Sequence, residues 1–92
     1  MSESDDTLLT RRKRALYRAE HRGTKEMDWL LGKYAAAELA GMDADALSAF
    51  EQLLALPDPD LEHWITGTAV DRPEGAFGDL ILRVRRFHGL EP

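Results

Sequence analysis

The chain contains no cysteine. That absence excludes a disulfide framework, a thiolate zinc site and a cysteine nucleophile. Long apolar runs are missing too. The longest uninterrupted stretches are a few residues, far below the roughly 18 needed to span a membrane. Serine is scarce: Ser2, Ser4 and Ser48 are the only ones, and none lies in a Gly-x-Ser-x-Gly turn. The histidines His21, His63 and His88 are far apart in sequence, and no His-Glu-x-x-His occurs. There is no glycine-rich phosphate loop and no dinucleotide fingerprint. Asp58, Asp60 and Glu62 cluster, but they read as the start of a helix. The sequence therefore offers no catalytic group, no metal ligands and no cofactor cradle. The opening Met-Ser-Glu-Ser-Asp-Asp lacks the apolar core of a secretory signal and the arginines of a transit peptide, so a cytoplasmic protein is expected.

What is present is an ordinary soluble composition. The chain has 92 residues, 43% hydrophobic and 32% charged, enough for one domain with a modest core. The net charge of −5 argues against general nucleic-acid binding. The charges are segregated. Residues 10–33 carry eight basic and three acidic side chains, whereas residues 34–80 carry one basic (Arg72) and ten acidic. Such blocks either attract each other within the fold or form a binding surface. The run Thr10-Arg11-Arg12-Lys13-Arg14 has no interleaved aromatics and reads as a solvated helix face.

Periodicity predicts an all-α, single-domain five-helix bundle. Residues 1–7 read as a disordered acidic tail and 8–90 as the folded domain. The first helix runs from Leu8 to His21 with Leu8, Leu9, Leu16, Ala15 and Ala19 as its apolar pattern, and Gly23 ends it. The second spans Thr24 to Leu39, with Met27, Leu30, Leu31, Tyr34 and Ala35 on one stripe. Gly32 interrupts it, at about 1 kcal/mol relative to alanine, and allows a neighbouring helix to approach. Gly41 closes this helix. The third helix starts after Asp43 as N-cap and buries Leu47, Phe50, Leu53 and Leu54 before Pro57 stops it. The fourth takes Asp58 as N-cap and Pro59 as its first residue, with Leu61, Trp64 and Ile65 inward and Gly67 at its end. Residues 67–73 form a loop. The fifth helix runs from Glu74 to His88 on Phe77, Leu80, Ile81, Val84 and Phe87. Arg83, Arg85, Arg86 and His88 sit where cations suit the helix dipole.

The segment Arg22-Gly23-Thr24-Lys25-Glu26-Met27-Asp28 has a plain structural reading. Gly23 is a left-handed C′ residue, Arg22 offsets the negative end of the first helix, and Glu26 and Asp28 favour the positive end of the second. Yet Arg-Gly-x-x-Glu-x-Asp between two helices also resembles the signature of the succinate dehydrogenase assembly factor family, the small flavinylation factors known as SdhE in bacteria. Arg14-Ala15-Leu16-Tyr17 resembles that family's first helix. Asp58-Pro59-Asp60-Leu61 followed by Trp64 resembles its later step. The resemblance covers about residues 8–90, and within that family the acidic head without a transit peptide points to a bacterial member.

The resemblance implies a five-helix, non-catalytic assembly factor. It would dock on the flavoprotein subunit of succinate dehydrogenase, or of fumarate reductase, and promote covalent attachment of FAD. The FAD would belong to the client, with no cofactor bound stably by this chain. Arg22, Gly23 and Glu26 would form the client-binding core, with Asp28 beside them and Arg14 on the same side of the first helix. Leu61, Trp64 and Phe77 are assigned to the core. The chain is expected to act as a monomer, without nucleic acid or membrane insertion. An antitoxin-like or regulatory protein-binding module and a small DNA-binding helical protein are the alternatives. Under the assembly-factor reading, Arg22→Ala and Glu26→Gln both stay folded, with melting midpoints near wild type, and lose covalent flavin on the client.

Overall fold

The computed structural model describes residues 5–67 and 73–90. Helix α1 spans Asp5–Glu20, α2 Lys25–Glu38, α3 Ala44–Leu54, α4 Asp58–Thr66 and α5 Ala76–Phe87. A 3-10 turn, Leu39–Gly41, extends α2, and among the described residues there is no strand. α1 lies along α2 and also touches α3, while α5 packs against α2, α3 and α4.

The apolar spacing of each helix explains the core. Met27, Leu30, Leu31, Tyr34 and Ala35 of α2, all of α3's predicted face, and Leu80, Ile81 and Val84 of α5 are buried together with Leu61 and Ile65 of α4. Burying a side chain such as Phe50 stabilises by about 1.5–3 kcal/mol. Phe50 is fully buried, with the Tyr34 ring centroid 5.9 Å away. Tyr34 also meets Phe87 edge-on at 5.7 Å. Burial raises the Tyr34 phenol above its ordinary pKa, and a hydrogen bond from Arg83 acts in the opposite direction. Trp64 and Phe77 are half-buried and pack on the core's edge.

Several boundaries differ from the sequence reading. α1 begins at Asp5 rather than Leu8, so part of the expected tail over 1–7 is helical, and residues 1–4 lie outside the described residues. Its buried contacts are Ala15 and Ala19, while Leu8 and Leu16 are half-buried and Leu9 is exposed. The reason is the close approach of α2, where only small side chains fit. At α4 the cap position is Pro57, not Asp58, because the Asp58 carboxylate is turned toward Arg22. α5 begins after Gly75, whose φ of 77° breaks the helix that was expected from Glu74. Residues 68–72 of the expected loop lie outside the described residues. The N-cap of α3 is as expected: Asp43 accepts from the Ala46 amide at 2.8 Å.

Two arginines hold helix ends from inside. Arg85, buried on α5, donates to the carbonyls of Trp64 (3.2 Å), Ile65 (2.8 Å) and Gly67 (2.6 Å) at the end of α4. Arg12 donates to the Met42 carbonyl at 2.6 Å. Arg11 pairs with Glu51 at 2.5 Å and donates to Ser48 at 3.1 Å. The basic block of α1 and the acidic middle of the chain therefore meet across the α1–α3 contact.

Gly32 sets the distance between α1 and α2. A Cβ there would lie 3.1 Å from Glu20 Cγ and 3.4 Å from Glu20 Cα. A large side chain at this point forces the helices apart, and overpacking of this kind costs about 1–3 kcal/mol. We expect Gly32→Leu to melt lower than wild type by roughly 4–8 °C per kcal/mol lost, as read by thermal circular dichroism. An unchanged midpoint would show that the α1–α2 contact is not tight.

Candidate functional site

The turn between α1 and α2 is built from His21 to Thr24. α1 stops at Glu20, and Gly23 takes φ 115°, a conformation that side chains with a Cβ rarely adopt. Space is not the constraint, since a Cβ at Gly23 would meet nothing within 4 Å. Thr24 caps α2, its hydroxyl accepting from the Met27 amide at 3.2 Å. The Asp28 carboxylate reaches back from the first turn of α2. It accepts from the Arg22 amide and, at 3.3 Å, from the Gly23 amide. Two of the turn's amides are thus satisfied by one acidic side chain, which holds the backbone in this shape.

That shape aims Arg22 inward. Its guanidinium crosses to the junction of α3 and α4. There it donates to the Leu54 carbonyl, to the Leu56 carbonyl at 2.9 Å and to the Asp58 carboxylate at 2.8 Å. The ion pair with Asp58 closes at 2.7 Å, with the Arg22 side chain only 10% exposed. Terminal carbonyls of a helix lack partners within it, and the planar fork of arginine supplies several donors at once. The sequence reading placed Arg22 against the end of α1; the structure places its side chain at α3 and α4 instead.

The motif therefore has two halves. Arg22 and Asp28 are committed to the chain's own backbone and to Asp58. Gly23 and Glu26 are exposed on the turn and the first turn of α2, and Arg14 is exposed on α1. Arg14 shares its helix face with Tyr17 and His21, at steps of three and four residues. Tyr17 is 64% exposed. Its ring stacks on His21 at 4.0 Å, and His21 Nδ1 lies 2.8 Å from the Tyr17 carbonyl. This aromatic pair is not among the residues expected from the sequence. The available signal was Tyr17's position off the apolar stripe of α1. The inward role of Arg85 was also missed, because its partners on α4 are 18 or more residues away in sequence, and so was that of Asp28, which bonds the nearby Arg22 and Gly23 amides instead of acting only on the helix dipole.

Chemically, the site presents the exposed carboxylate of Glu26, an open backbone turn at Gly23 and the exposed cation of Arg14. Among the described residues no group of three or more His, Cys, Asp or Glu side chains is arranged to hold a metal ion.

Residues 13–88 match the protein family described as flavinator of succinate dehydrogenase. The chain belongs to that family. It is 42% identical over 64 residues to FAD assembly factor SdhE of Acetobacter pasteurianus, covering 70% of this chain and 59% of that protein. It is 34% identical over 89 residues to mitochondrial succinate dehydrogenase assembly factor 2-A of Drosophila ananassae, covering 95% and 56%. With succinate dehydrogenase assembly factor 2 of Dictyostelium discoideum it shares 35% over 77 residues, covering 84% and 53%. The chain spans little more than half the length of these curated relatives. No solved structure matches it.

The two halves of the motif predict opposite stability effects. Arg22→Ala leaves two helix-end carbonyls and Asp58 without their donor. Breaking such a pair costs about 3–5 kcal/mol when fully buried, and about 2–4 here because Asp58 is partly solvated. This replaces the expectation that Arg22→Ala melts near wild type. Glu26→Gln touches only an exposed side chain, and its effect should stay within about 0.5 kcal/mol. Urea melts of the two variants, side by side, measure the contrast. Equal midpoints would mean that the Arg22 clasp contributes nothing.

Proposed function

We propose that this protein docks on the flavoprotein subunit of succinate dehydrogenase and promotes covalent attachment of FAD to it. The observation that carries the reading is the family match across residues 13–88. The motif's geometry supports it: the turn backbone is held by Asp28 and Thr24, and Glu26 and Arg14 are exposed beside it. A binder of this kind accelerates a partner's own chemistry by holding it in the competent conformation, since a ligand that prefers one state shifts the population toward it. FAD is then the partner's substrate, and this chain holds no flavin of its own.

In this reading Gly23, Glu26 and Arg14 contact the partner. Arg22 and Asp28 position them by fixing the turn. Glu26 accepts hydrogen bonds or pairs with a cation of the partner, and the bare Gly23 backbone lets the two surfaces close. The fumarate reductase flavoprotein is the second client to examine, and the chain acts as a monomer.

The test is complementation of a strain lacking the gene, with in-gel flavin fluorescence of the denatured flavoprotein. Glu26→Gln should express at wild-type level and leave most of the flavoprotein without covalent flavin, consistent with a lost contact worth about 2 kcal/mol or more. Arg22→Ala should lose flavinylation in step with its lost stability. Full flavinylation with Glu26→Gln, or a strain unaffected by the deletion, would refute the proposal.

A further inference from the structure

Asp58 is the counter-charge on which the inward half of the motif ends. One of its oxygens, Oδ1, accepts from Arg22 Nε at 2.8 Å and from Nη2 at 2.7 Å. Nη1 donates to the Leu54 carbonyl, and Nη2 also to that of Leu56. All three guanidinium nitrogens are therefore bonded. Among the described residues, Asp58 is the only carboxylate in an ion pair with Arg22. Its own backbone is stiff. Pro57 and Pro59 flank it, their rings fix φ on both sides, and Pro57 sits at φ −64°.

Arg22 is thus pinned twice: Asp28 holds its backbone amide and Asp58 its side chain. Gly23 follows it directly, and Glu26 stands in the first turn of the helix that Thr24 caps. The Arg22 side chain is only 10% exposed. Without Asp58 this poorly solvated cation keeps carbonyl partners but has no counter-charge, a state that costs far more than the intact pair. The long side chain escapes that cost by turning outward to water. Doing so releases one of the two pins on the turn and adds a cation to the surface beside Gly23 and Glu26.

We propose that Asp58 is a positioning residue for docking on the flavoprotein subunit. It keeps the Arg22 guanidinium inward and so holds the Gly23 turn in the shape that presents Glu26. This rests on the reading that the chain works by such docking, and it gives the α3–α4 junction a part in that contact through Arg22. The plain alternative is that Asp58 serves only as an acid in the first turn of α4, where it suits the helix dipole. The two differ in one respect: a dipole role does not need Arg22.

Binding to purified succinate dehydrogenase flavoprotein subunit, titrated well below each variant's melting midpoint, tests this. Asp58→Ala should weaken binding about tenfold or more, since small misplacements of contact groups are expensive. Asp58→Asn keeps an oxygen for Nε and Nη2 and loses only the charge. It should weaken binding about threefold or more, and it takes the place of Asp58→Ala in every comparison if that variant does not fold. Val84→Ala opens the core at α5 and lowers the midpoint, yet should bind within about twofold of wild type. In an Arg22→Ala background, Asp58→Ala should change binding less than about twofold, because the residue it acts through is gone. The Gly23 amide resonance should move with Asp58→Ala and stay in place with Val84→Ala. An Asp58→Ala chain that binds like wild type, or an effect that persists undiminished in the Arg22→Ala background, would overturn this inference and leave the functional reading standing. No binding by the wild-type chain would overturn both.

Discussion

The guanidinium of Arg22 joins two turns that are far apart in sequence. The α3–α4 junction carries Pro57 and Pro59, neither of which has a backbone N–H to offer. The carbonyls of Leu54 and Leu56 there find donors on Arg22. Its charge is balanced by Asp58, so the group is both paired and hydrogen-bonded, the condition under which a poorly solvated cation is tolerated. The clasp works only if the α1–α2 turn holds its shape, which the positive φ of Gly23 and the carboxylate of Asp28 provide. A local turn and a long-range contact thus depend on each other.

The same device recurs. Arg85 seals the end of α4 and Arg12 holds the Met42 carbonyl. Arginine suits this use because its five donors lie in one plane and it keeps its charge. The segregation of charge along the chain follows in part from this: the basic first helix faces the acidic middle of the fold and pairs with it through Arg11 and Glu51. Cations that remain exposed, such as Arg14 and Lys25, stand out against this background.

The motif divides in two within seven residues. Its inward half is bonded to the chain's own backbone and to Asp58, and its outward half is exposed. Putting both in one short turn has a physical advantage. A contact residue on a rigid element loses little entropy on binding, so more of the interaction appears as affinity. Under the proposed function, the corresponding constraint is that substitutions at the inward half act on binding only through the fold.

The five helices, the burial of the α2 and α3 stripes and the Asp43 cap were legible in the sequence. Each arises from contacts within one or two turns, and a 3.6-residue period reports them directly. The Gly23 turn was legible for the same reason. The destination of Arg22, the inward turn of Arg85 and the shift of the α4 cap to Pro57 were not. In each of these the partner lies 18 or more residues away in sequence, and which cation reaches which carbonyl is decided by how the helices pack. Local chemistry determined what each segment becomes. Only the tertiary structure decided which charges turn inward to close helix ends and which are left facing outward, because burial pairs each charge with whatever the packing brings within hydrogen-bond reach.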